Sequence, residues 1–155
     1  MSRPDVMIID TDRNRIRSLR RILREARSDL TVEEVTQPSQ AREAVSKGRP
    51  ALVMMHTSFP YLEEDGTGLL ELVQEDMRNV NTGIMLVLPV SGSALYRSGY
   101  QEGMEMLDMA DDLITTDFTS DMIQHMVIDF LDRRVAVRQE ARAAAGEPEY
   151  AFVSE

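Results

Sequence analysis

The segments that most constrain this fold are short apolar runs that do not alternate: "ALVMM" at 51–55, "GIMLVL" at 83–88 and, after one aspartate, "VMII" within "DVMII" at 5–9. In a strand, successive side chains point to opposite faces, so a half-exposed strand alternates apolar and polar residues. A run that is apolar at every position must be covered on both faces. That is the pattern of a strand in a parallel sheet packed between helices. None of the runs approaches the ~18–20 apolar residues that a membrane-spanning helix needs.

The intervening segments have helical spacing. From Arg13 to Arg27, Ile16, Leu19, Leu23 and Ala26 recur on one predicted face, and Asp12 stands at the N-cap position. "LTVEEV" at 30–35 reads as a strand, and "PSQAREAVSKG" at 38–48 as a helix that opens on proline and closes on glycine. A long polar loop is expected over 56–68, helices over 69–77 and 93–109, and a strand at "DDLIT", 111–115. A last helix over 120–134 has the apolar stripe Ile123, Val127, Phe130 and Leu131.

Strands that alternate with helices imply right-handed crossovers and a sheet covered on both faces. The expected architecture is a flavodoxin-like doubly wound α/β fold, with five parallel strands in the order 2-1-3-4-5. Such folds place their chemistry at the carboxyl ends of the strands, at the switch between strands 1 and 3. Asp10, Thr11 and Asp12 follow the first strand, and His56 ends the third.

Charge and composition narrow the function. The formal net charge is −10, which argues against generic binding to nucleic-acid phosphates. Residues 13–27 nevertheless hold seven arginines and one glutamate. This is the solvated face of an amphipathic helix or a docking surface for an acidic partner. With no cysteine, disulfides, thiolate metal sites and thiol nucleophiles are excluded. The N-terminus carries no secretory pattern, and a cytoplasmic location is expected.

Three segments resemble the receiver domain of bacterial two-component response regulators. "VMIIDTD" is similar to the family's acidic first-strand motif, "RPALVMMH" to the strand that ends in the phosphoacceptor aspartate, and "ADDLITTDF" to the family's "ADDYLTKPF". The resemblance covers about residues 5–132, with the DG at 65–66 matching a turn before the third helix. It implies a CheY-like fold and a role in signal transduction. In the family a phosphoryl group passes to an aspartate, with a hard cation held by oxygen ligands and donors for the transferred oxygens.

This chain departs from that pattern at five positions. His56 stands at the acceptor, and Thr11 follows Asp10 where a second metal-binding carboxylate belongs. Asp12 is one step further on, as a helix cap. Leu88 replaces the hydroxyl after strand 4, Thr116 the lysine after strand 5, and Leu113 the switch aromatic. The lysine is lost whatever the alignment, because no lysine follows Lys47, and no arginine lies between Arg97 and Arg133.

The sequence therefore leads to these expectations. The chain is a receiver-like domain over 1–132, with a helical extension and mobile tail over 133–155. It needs no cofactor or metal, catalyses no reaction, and acts through a protein partner, with no nucleic acid or membrane. Arg13, Arg17, Arg20, Arg24 and Leu113 are the partner-binding candidates. His56 is expected to be structural, near Asp10, whose carboxylate would favour the charged imidazole. His125 is expected at the surface, and the pair at 111–112 as a strand lead-in. Ile123, Phe130, Val137 and Ala144 recur every seven residues, a hint of a homodimer through the last helix. Two other readings stay open: a divergent phosphorylatable receiver using Asp10, Asp12 or His56, and a flavodoxin-type small-molecule binder. Against the second, the bulky "DTDRNR" stands where a phosphate-cradling loop would be.

Overall fold

The computed structural model describes residues 4–56, 82–93 and 110–144. Among these, five strands form one parallel sheet in the order β2-β1-β3-β4-β5. The strands are β1 (Val6–Ile9), β2 (Val32–Val35), β3 (Leu52–His56), β4 (Gly83–Val87) and β5 (Asp112–Ile114). The helices are α1 (Arg13–Ala26), α2 (Pro38–Gly48) and α3 (Ser120–Ala144). The expected loop and helices over 57–81 and 94–109 lie outside the described residues, as does the tail beyond 144. No described helix is long and apolar enough to cross a membrane.

The central strands β1 and β3 are buried at every position, as their unbroken apolar runs require. Edge strand β2 alternates only at its ends: Val32 and Val35 are buried while Glu33 and Glu34 face solvent. Side-chain alternation divides the core into two layers. Met7, Ile9, Val53, Met55, Ile84, Leu86 and Leu88 pack on one face with Val45 of α2. Val6, Ile8, Leu52, Met54 and Met85 pack on the other against α1 and α3. Phe130 of α3 lies so close to Gly83 that a Cβ there would come within 2.0 Å of the ring. The glycine at the start of β4 is thus a packing requirement.

Local sequence accounts for the helix ends. Asp12 caps α1, its side chain accepting from the backbone N–H of Asn14 and Arg15. α2 starts at Pro38 and ends at Gly48 as expected, and Arg49 beyond it adopts the left-handed cap conformation (φ 46°). The carboxylate of Asp111 accepts from the N–H of Ile84, which makes it a lead-in to the sheet.

Three expectations need correction. Ala26 is exposed, and Ile22 takes its place on the inner stripe of α1 with Ile16, Leu19 and Leu23. Arg20 is not an outward docking charge. It donates to the carbonyl of Val32 at 2.9 Å and pairs with Glu34 at 2.8 Å, so it ties α1 to β2. Ile123 and Phe130, the first two members of the seven-residue series, are buried in the domain core. A dimer seam along α3 would have to begin beyond them. The helix itself runs unbroken across 132–133.

Candidate functional site

The register of the sheet assembles the site. Ile9 pairs with Met55 between β1 and β3, so Asp10 emerges beside His56 at the carboxyl end of the sheet. His56 in turn pairs with Val87 of β4, and Val87 with Ile114 of β5. The residues from the ends of strands 1, 3, 4 and 5 therefore converge at one rim, as the sequence reading requires.

Asp10 is 4% exposed, a buried carboxylate that must find compensation. Arg15, in the first turn of α1, supplies it. Its Nε donates to Oδ2 of Asp10 at 2.8 Å and its Nη2 to Oδ1 at 2.8 Å, a two-pronged charge-assisted pair. Nη1 reaches Asp12 at 3.2 Å, and the Asp12 N–H donates to Asp10 Oδ1 at 2.9 Å. Burial alone would raise the pKa of Asp10, but the hydrogen bonds from Arg15 and the Asp12 N–H, with the positive field of His56 and Arg15, hold it below the usual carboxylate range. The same pairing raises Arg15 above its ordinary value.

His56 is also 4% exposed. Its pKa moves opposite to expectation. Burial and the neighbouring Arg15 cation both push it down, and together they outweigh Asp10 and Asp12, which push it up. The imidazole is thus held toward its neutral form. Asp10 does favour the charged ring, but burial first and the Arg15 cation second oppose it.

The β4 and β5 side differs in kind. Leu88 is buried in the apolar layer with Leu86 and Met55, where no side chain of its type can donate to an oxyanion. Thr11 and Thr116 are exposed. The Thr116 N–H donates to the carbonyl of Val90 at 3.0 Å. The hydroxyl of the buried Thr115 meets the carboxylate of Asp117, which also accepts from the N–H of Gly92 at 3.0 Å. This bracket joins the loop after β4 to the loop after β5, and it holds Asp117 below the usual carboxylate range. Leu113 is half-buried against the same apolar layer, so only part of it faces outward.

These donors do not fit a hard divalent cation. Magnesium-type sites are built from several carboxylate, carbonyl and water oxygens. Here a guanidinium lies between Asp10 and Asp12, and a histidine stands where the third-strand carboxylate would be. Among the described residues, no group of three or more His, Cys, Asp or Glu side chains could hold a metal ion.

Of the arginines on α1 and at its C-cap, Arg15, Arg20 and the cap residue Arg27 are tied to acids within the domain, the last to Asp132 of α3 at 3.1 Å. Arg13, Arg17 and Arg24 are exposed, as is Arg21, which was not among the partner-binding candidates. His125 is exposed, as expected. The sequence reading missed Arg15, which it counted as one more surface charge. The signal was present: a strand-end aspartate that becomes buried needs a cation, and Arg15, in the first turn of α1, can reach back to it.

Fold and site together define a class. The chain has the architecture of CheY-like response-regulator receiver domains, with an internally paired acidic rim. Similar solved structures include a CheY-like response regulator receiver domain from Methanospirillum hungatei JF-1, with 16% identity, a TM-score of 0.64 and coverage of 87% of this chain and 98% of that one. The receiver domain of the Francisella response regulator 1452 is similar at 19% identity and a TM-score of 0.65, covering 84% and 98%. A response regulator signal receiver domain from Bermanella marisrubri is similar at 20% identity and a TM-score of 0.62, covering 81% and 96%. No protein-family model matches the sequence. No curated protein sequence matches it either.

Proposed function

We propose that this chain is a signalling domain of the response-regulator receiver type that works without phosphorylation of an aspartate. In this reading it is not an enzyme. It acts in the cytoplasm of a bacterial cell and passes its signal by protein–protein contact. The observation that carries the reading is the Arg15–Asp10 pair, two hydrogen bonds of 2.8 Å on a buried carboxylate. A cation that must enter this rim has to displace a guanidinium already well placed, and His56 offers no acceptor carboxylate. Leu88 and Thr116 leave the transferred oxygens without the usual hydroxyl and lysine.

The contact surface in this reading is the outer face of α1, where Arg13, Arg17 and Arg24 are exposed and, among the described residues, have no acidic partner. Arg13 and Arg17, Arg17 and Arg21, and Arg21 and Arg24 stand three or four residues apart, and like charges at those spacings repel by a few tenths of a kcal/mol per pair, so the helix gains nothing locally from them. An acidic partner supplies the compensation. Self-association through the part of α3 beyond Leu131 is a secondary element of the same reading, supported by the continued seven-residue series at Val137 and Ala144.

Incubation with acetyl phosphate and magnesium, followed by intact-mass measurement, tests the central point. No phosphate should be gained. A gain that disappears on mutating Asp10 or Asp12 contradicts the proposal. Reversal of Arg13, Arg17 and Arg24 to glutamate, which leaves the structural Arg20 in place, should weaken partner binding and flatten its salt dependence while the melting temperature stays close to wild type. Unchanged binding would move the interface to β5 or α3.

A further inference from the structure

α1 and α3 share one face of the sheet, but they meet only along part of their length. Gln124, one turn into α3, donates to the carbonyl of Ile22 at 2.8 Å, and Arg27 pairs with Asp132 at 3.1 Å. These ties engage the second half of α1. Beside its first half lies a cavity of about 310 Å³ between α1, the sheet and the start of α3. Met54 and Val87 line it from the sheet, Leu19 from α1 and Ile123 from α3, so its body is apolar. At one end stand His56 and the Asp10–Arg15 pair.

We propose that this cavity binds a small neutral amphiphile, with its apolar body between α1 and the sheet and a single hydrogen-bonding group directed at His56 and the outer edge of Arg15. Size and charge both point to this class. An apolar cavity of ~150 Å³ suffices for benzene, and small-molecule pockets start at about 300 Å³. The volume suits a ligand of on the order of ten to fifteen non-hydrogen atoms, because a water takes about 30 Å³. It is too small for a dinucleotide. Asp10 and Arg15 already neutralise each other, so a charged head group would enter a nearly closed charge pair without a counter-ion. An anion in the cavity would face the Asp10 carboxylate, and a cation would face the Arg15 guanidinium. Arg15 lines the cavity with its side chain still 43% exposed, which places its polar edge, with that of His56, at the head-group end. The proposal does not depend on the absence of phosphorylation, and a ligand here would contact the helix that carries the exposed arginines.

The chain contains no tryptophan, so the emission of added indole reports its own surroundings. Titration of the full chain with indole should give a saturable blue shift, and both indole and 1-octanol should raise the melting temperature. Indole-3-acetate, which adds a carboxylate to the same ring, should bind much more weakly. Ser18→Phe at the α1 rim and Val87→Phe on the sheet should each abolish the saturable shift, and circular dichroism establishes which variants are folded. A loss in either folded variant supports the site. Three results would overturn the proposal: no saturable binding of indole or 1-octanol to the wild type, undiminished binding in every folded variant, or tighter binding of indole-3-acetate than of indole.

Discussion

After β1 and β3 the chain buries two titratable groups, Asp10 and His56, and balances them with Arg15. After β4 and β5 it buries Leu88 and turns Thr116 and Asp117 outward. The two halves of one strand-end rim thus follow different rules. The first half keeps charge in the interior and satisfies it with an internal cation. The second half is hydrophobic core closed by a surface bracket. Receiver chemistry needs both halves at once, an acid and metal on one side and oxyanion donors on the other. A change to either half alone leaves the other unable to cooperate.

The contrast can be broken from the core side first. Leu88→Ala removes a buried side chain from the apolar layer and is expected to cost about 2–5 kcal/mol, read by urea denaturation. A loss below about 1 kcal/mol would mean that the end of β4 is not packed as core.

The charged half should give a smaller effect. Arg15→Ala strands a buried carboxylate, and the expected cost is about 1–3 kcal/mol. The lower part of that range is favoured because the arginine is 43% exposed and partly screened by solvent. Adding Asp10→Asn to Arg15→Ala should recover stability, since the charge left unpaired is then gone. If the double variant is as unstable as the sum of the singles, the pair is not the coupled unit described here.

The third effect is a pH dependence. Burial and Arg15 hold His56 below the ordinary histidine value of about 6.5. As pH falls past that value the unfolded chain takes up a proton before the folded one, so stability declines. Asp10 behaves differently. Its pKa is depressed, so its contribution is complete above the ordinary aspartate value of about 3.9 and is lost only as pH falls through its lower folded pKa. His56→Asn should therefore remove the upper acid phase of the stability–pH curve and leave the lower one. An unchanged upper phase would assign it to another group.

Much of this was legible in the sequence because it is local or periodic. Unbroken apolar runs located the strands, the Asp12 cap fixed the start of α1, and Pro38 fixed that of α2. The convergence of Asp10, Thr11, His56, Leu88 and Thr116 at one rim followed from strand order. Features set by tertiary placement were not readable. Ala26 and Ile22 both fit a helical stripe that contains Ile16 and Leu19, and only the docking of α1 shows which one turns inward. The bond between Arg20 and Glu34 joins different elements, so counting charges along a helix could not separate it from Arg13 or Arg17. The direction of the His56 shift was misread for the same reason: with Arg15 placed at the surface, Asp10 seemed free to hold a proton on the imidazole.

The most direct test is a backbone-amide NMR spectrum of the full chain recorded before and after addition of magnesium and beryllofluoride, an aspartyl-phosphate mimic. With the acidic rim closed by Arg15 and no carboxylate at position 56, the resonances of Asp10, His56, Leu88 and Thr116 should stay where they are. Saturable shifts centred on those four residues would contradict the account, because they would mean that the rim opens to a cation and an oxyanion after all.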